Sequence, residues 1–169
     1  MRNQVKILLL ASVMLLAACT SMTYPPPALG TPESEVIARV GAPAGIYPDG
    51  KSHLLEYPQG PMGQYTFMAR IGPDGRLLAW EQVLTTEKFA TIKVGKANKN
   101  DVLRMIGRPA EKMWFPLSKL EAWSYRYKEG GVWNSMMHIH FDQAGIVRRM
   151  ENGRDPMYDE SERSGRGRR

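Results

Sequence analysis

Apolar residues recur along this chain at two spacings, and each spacing is used twice. Val36, Ile37 and Val40 stand at i, i+1 and i+4, which places them on one face of a helix. Thr31 is positioned to cap that helix and Pro32 to start it. Glu33 and Glu35 fall in the first turn, where negative charge suits the helix dipole. Gly41, followed by Pro43, stops it. Val102, Leu103 and Ile106 repeat the spacing, with Asn98 as the N-cap, Asp101 in the first turn and Gly107 and Pro109 as the stop. The pattern predicts short helices over 32–40 and 99–106, with room for a further helix either before Pro32 or around 86–89.

Period-two alternation follows each helix. Residues 52–57 read as a strand, and 58–63, with two prolines and two glycines, as its break. Tyr65, Phe67, Ala69 and Ile71 alternate with Gln64, Thr66, Met68 and Arg70. Gly72, Pro73, Asp74 and Gly75 then turn the chain into a return strand over 76–84, whose inward pair is either Leu78 and Trp80 or Leu77 and Ala79. Residues 46–50 read as a loop with a turn at Pro48, Asp49 and Gly50. Further on, 111–115 is a short strand, Trp123, Tyr125 and Tyr127 alternate with polar residues, and 132–141 and 146–151 form a hairpin around Asp142 to Gly145.

Gly41 and Gly107 lie 66 residues apart, and Gly75 and Gly145 lie 70 apart. Between them, Leu55 and Tyr57 match Trp123 and Tyr125, and Phe67, Ala69 and Ile71 match Met137, Ile139 and Phe141. The offset reads as an internal duplication. The expected architecture is therefore α+β: two tandem repeats, 30–87 and 88–153, each with short helices packed on a roughly three-stranded antiparallel sheet. A unit of this size is marginal alone, so the two are expected to pack on each other.

The termini carry different signals. Arg2 and Lys6 precede an apolar run from Ile7 to Leu16, too short to span a bilayer and suited to a signal peptide over 1–18. Leu16, Ala17, Ala18 and Cys19 resemble the lipobox of bacterial lipoproteins. The resemblance implies cleavage before Cys19, lipid attachment to it and, with Thr20 next, sorting to the periplasmic face of the outer membrane. Cys19 is the only cysteine, so no intramolecular disulfide forms. Residues 19–29, with three consecutive prolines, read as a tether, and 154–169 as a disordered polar tail.

Charge sharpens the picture. The chain is +6 overall, but residues 20–87 hold 4 basic and 7 acidic residues while 88–153 hold 12 and 6. An exported protein has no call on nucleic acid, so anionic phospholipid or an acidic envelope protein is the matching partner. Lys93, Lys96, Lys99, Arg104 and Arg108 surround the second predicted helix, and Trp114 and Phe115 follow between elements. These seven residues form the candidate binding surface.

The run from Val94, Gly95 and Lys96 through Asn100, Asp101 and Val102 to Gly107, Arg108 and Pro109 resembles the BamE (SmpA/OmlA) outer-membrane lipoproteins. The likeness covers 90–152 well and 30–86 more weakly. It implies an accessory role in assembling β-barrel proteins into the outer membrane. Two copies in one chain resemble instead the secreted β-lactamase-inhibitory proteins, which imply a tandem inhibitor or modulator of an envelope enzyme.

No catalytic constellation is visible. Gly95-Lys96 lacks the rest of a phosphate-binding loop, and no nucleophile elbow occurs. His138 and His140 share a strand face, but a solvated face describes them better than a metal site. The expected function is therefore non-catalytic binding or scaffolding at the envelope, without cofactor or metal. Mass spectrometry of the native protein is expected to show an acylated Cys19 at the mature N-terminus. A mature chain beginning elsewhere overturns that reading.

Overall fold

The computed structural model describes residues 25–158. A first antiparallel sheet takes its strands in sequence order: β1 (Gly45–Asp49), β2 (Ser52–Gln59), β3 (Tyr65–Ile71) and β4 (Leu77–Gln82). A second does the same with β5 (Glu111–Phe115), β6 (Leu120–Glu129), β7 (Trp133–Phe141) and β8 (Val147–Arg154). The helices are short: α1 (Glu33–Val40) precedes the first sheet, and α2 (Thr86–Ala90) and α3 (Lys99–Ile106) lie between the two in sequence.

The expected α+β class, two repeats of helix on a three-stranded sheet, is thus corrected. Among the described residues the chain is mainly β: two four-stranded sheets with three short helices. The predicted loop at 46–50 is the strand β1. Its Pro48 sits opposite His53 on an edge strand, where a missing N–H costs no ladder bond on the outer side. Gly50, at φ +64°, makes the two-residue turn that brings Ser52 opposite Asp49. The helices also do not divide one set to each sheet. Phe89 of α2 and Val102 and Ile106 of α3 share one core with Leu54, Met68, Val83 and Leu84 of the first half. The same core holds Trp123, Tyr125, Tyr127, Ile139 and Phe141 of the second. Only α1 has a separate small core, with Val36 against Leu55, Tyr57, Ala69, Ile71 and Leu77.

The alternatives for β4 are both wrong in part, because a β-bulge intervenes. Ile71 pairs with Leu77, but Arg70 pairs with Ala79. The extra residue reverses the alternation, so Leu77 and Trp80 both face the α1 side, and Trp80 stacks near Tyr57 and Phe67. The second sheet has the same irregularity: Phe141 pairs with Val147 and His140 with Arg149. Each bulge follows a turn that also ties down a helix start. Glu33 N–H donates to Gly75 O at 2.9 Å, and Lys99 N–H to Gly145 O at 3.1 Å.

Helix ends obey local chemistry. Asn98 caps α3: its side-chain oxygen accepts from the amides of Asn100 and Asp101, and Asp101 accepts from the Asn98 amide at 2.9 Å. Thr31 does not cap α1; its hydroxyl donates to Ala28 O. Thr85 caps α2 through Lys88 N–H. Gly41 and Gly107 end their helices at φ +104° and +79° with extended ψ, a region open essentially to glycine. The predicted tail is corrected at its start. Arg154 completes β8 and Asp155 is buried against Arg126. The signal, Cys19 and residues 159–169 lie outside the described residues.

Glu56 joins the halves. Its carboxylate, 1% exposed, accepts from Tyr47 Oη at 2.6 Å and from the Arg108 amide at 2.8 Å, directly after α3 stops. Tyr125 Oη donates to Gly107 O at 3.1 Å from the other sheet. A Cβ on Gly107 would stand 2.5 Å from the Glu56 carboxylate, whereas one on Gly41 would meet nothing within 4 Å. Gly41→Ala is therefore expected to cost about 1–3 kcal/mol from backbone strain alone, and Gly107→Ala clearly more. Urea unfolding of both variants checks this; equal losses would remove Glu56 from the account.

Candidate functional site

The structure separates the seven residues of the predicted binding surface into distinct places. Lys93, Lys96 and Arg104 line a cleft of about 410 Å³, shared with Arg70, Lys88, Asp49 and Asp101 and floored by Leu54 and Ala97. Lys88 pairs with Glu81, Arg70 with Asp49 and Arg104 with Asp101. Lys93 and Lys96 have no ion-pair partner among the described residues. Lys99 points away from the cleft. Its ammonium pairs with Glu121 and lies 5.8 Å from the ring centres of Trp123 and Phe141. The hydrogen bond from Lys99 holds the Glu121 carboxyl below its ordinary pKa. Arg108 stands with Glu56. Helical geometry explains the split, since Lys99 and Arg104 are five positions apart and so on different faces of α3.

Trp114 and Phe115 sit on β5. This strand pairs with β6 on one side only, and all five of its residues are exposed. Met113, Trp114 and Phe115 are 57%, 49% and 40% exposed, and Leu117 beyond them is fully so. Lys112 and Trp114 fall on one face of β5 and Glu111, Met113 and Phe115 on the other. Lys112 covers the Trp123 ring at 4.5 Å. The other aromatic residues divide sharply: Trp123, Tyr125 and Tyr127 are core, while Trp133 projects beside the turn before β7. Burial, followed by the nearby Glu56, pushes the Tyr125 hydroxyl far above its ordinary pKa.

The outer face of the second sheet holds a feature not singled out in the sequence as a site. A groove of about 640 Å³ runs over Ala122, Ser124, Met136, His138 and His140, with Met113 and Phe115 along one wall and Glu151 and Pro156 along the other. Ser124 Oγ and His138 Nδ1 are hydrogen-bonded at 2.8 Å. His140 is buried. Its Nε2 lies 3.2 Å from a Glu151 oxygen but off the line a hydrogen bond needs, and neither ring nitrogen has a hydrogen-bond partner among the described residues. Arg126 reaches Glu111 and Asp155. Among the described residues no three His, Cys, Asp or Glu side chains form a metal cluster, and no helix is long and apolar enough to cross a membrane. The alternation of His138 and His140 was the one signal for this face; the covering by β5 comes from the edge strand.

No protein-family model matches the chain, and no curated protein matches it. Among solved structures, it is similar to a DUF4309 family protein (YjgB) from Bacillus subtilis, at 12% identity and a TM-score of 0.31, over 74% of this chain and 79% of that one.

Burial lowers the His140 pKa, with Arg149 and His138 acting in the same direction and Glu151 opposing them. A histidine depressed in the folded state binds its proton more readily when unfolded. Its share of stability is present above the unfolded pKa of about 6.5 and falls as pH drops below that value. Between pH 7.5 and 5.5, His140→Gln is therefore expected to lose less Tm than the unaltered protein. Equal losses would overturn the assignment.

Proposed function

We propose that this chain is a lipid-anchored, non-catalytic binding component at the periplasmic face of the outer membrane, held there through Cys19. One observation supports it most: β5 is a sheet edge that carries an exposed apolar run. An unpaired edge offers a row of N–H and C=O groups to any extended chain, and folds blunt such edges with charge or proline. Two of the other three outer strands follow that rule, and β4 shows a lone strongly exposed apolar residue, Leu78, with the exposed Glu81. β8 exposes Arg148, Arg149, Glu151 and Arg154, and β1 contains Pro48. β5 instead presents Met113, Trp114 and Phe115 together.

The occupant we infer is an extended segment of an envelope protein that adds a strand to β5. The backbone ladder supplies affinity, and the Trp114 ring supplies a contact of the kind that dominates interfaces. Lys93 and Lys96 contribute positive field, which favours an acidic partner and chiefly speeds its approach. A role in β-barrel assembly is one setting in which such a partner occurs.

The test is crosslinking in intact envelopes. Trp114→Ala together with Met113→Thr leaves the shared core untouched, because both residues are exposed. The double variant is expected to keep its Tm within about 1 kcal/mol of stability and to lose at least tenfold of its crosslinked product. A full yield of the same product from a folded variant would dismiss β5 as the docking edge.

A further inference from the structure

We propose that the outer face of the second sheet binds a small uncharged molecule that carries an amide or hydroxyl group on an apolar body. This goes beyond the docking edge: Met113 and Phe115 border both, but Trp114 stands on the opposite side of β5 from the groove, and Ser124, His138 and His140 belong to the groove alone.

The groove has the form of a ligand site. Its volume of about 640 Å³ lies in the ordinary range for small molecules, and its floor is recessed between β5 and the 3-10 turn that begins at Pro156. Ser124, Met136 and His140 on that floor are 7%, 4% and 6% exposed. Met113 and Phe115 from β5 wall it, so an apolar body would be sandwiched between thioether, ring and sheet.

The polar groups choose the head. His140 lines the groove from beneath. Its ring nitrogens are enclosed and without a hydrogen bond among the described residues, and Nε2 stands 3.2 Å from a Glu151 oxygen. A ligand reaches them only as the ring turns toward the groove, which relieves the cost of an unsatisfied buried imidazole. A neutral imidazole offers one donor and one acceptor, the complement of an amide or a hydroxyl. His138, already bonded to Ser124 at 2.8 Å, stands beside it on the same strand face and adds a second polar contact point.

The charges reject an ion of either sign. The Arg126 guanidinium is held by Glu111 and Asp155, and the Glu151 carboxylate faces Arg149 at 3.3 Å as well as His140. An anion would meet Glu111 and Glu151 across the groove, and Lys112, which also lines it, has its ammonium 4.5 Å from the Trp123 ring on the opposite face of the sheet. A cation would have to draw Glu111 or Glu151 away from arginines already placed against them. An uncharged ligand disturbs neither arrangement.

Three probes share one ring and differ in charge: benzamide, benzoate and benzamidine. Each is titrated against the full chain, with the ring nitrogen and carbon resonances of His138 and His140 followed by NMR. Benzamide is expected to shift both rings and saturate with a Kd of about 1 mM, a value open to a ligand of that size. The two ions are expected to bind at least tenfold more weakly. Ser124→Ala and His140→Gln should each weaken benzamide several-fold, and retained spectra of Ile139 and Phe141 show that the sheet persists. Equal binding of the three, preference for either ion, or shifts that miss both histidines would each overturn the proposal.

Discussion

The Glu56 carboxylate is the constraint on which the arrangement of this protein depends. A helix that stops inside a fold leaves backbone groups that water cannot reach. Here α3 stops at the junction of the two sheets, and each sheet satisfies a backbone group just past its end. Glu56 accepts the Arg108 amide from the first sheet, and Tyr125 donates to the Gly107 carbonyl from the second. Tyr47 fills the remaining side of the carboxylate, and burial, with Glu56 next, raises its own pKa strongly. The close approach requires that residues 45 and 107 lack side chains. A Cβ on Gly45 would lie 2.6 Å from one carboxylate oxygen and one on Gly107 2.5 Å from the other.

Much of the local structure was legible because it is written in short-range chemistry. The Asn98 cap, the glycine stops and the turns at Asp74-Gly75 and Ala144-Gly145 are each decided within a few residues. What was not legible depends on partners distant in the chain. β1 looked like a loop because Pro48 and Gly50 are breakers, and only an edge position makes them harmless. The facing of β4 could not be settled by alternation, because a bulge shifts the count by one between Ile71 and Arg70. The balance between sheet and helix was misjudged for the same reason. Two of the helices are absorbed into a core that both sheets build.

The site follows the same division. Net charge located the basic residues in the second half, but it could not say that Lys96 and Lys99 face different ways, one into a cleft and one onto Trp123. The exposed pair Trp114 and Phe115 was visible as an apolar run between elements. Their separation onto two sides of a strand, one at an open edge and one over a groove, needs the pairing with β6. His138 and His140 looked solvated because alternation alone does not reveal a roof. Met113 and Phe115 supply that roof from a neighbouring strand.

The sharing of α3 between the sheets has a consequence for how this chain can vary over time. The Glu56 carboxylate keeps its present place only while residue 107 is glycine, and Gln64 of the first half donates to Asn134 of the second across 70 residues at 2.8 Å. Changes on one side of the junction are therefore tolerated or refused according to what stands on the other. The two halves drift as one inheritance, and a segment exchanged for its counterpart from a distant relative would have to bring both members of each such pair.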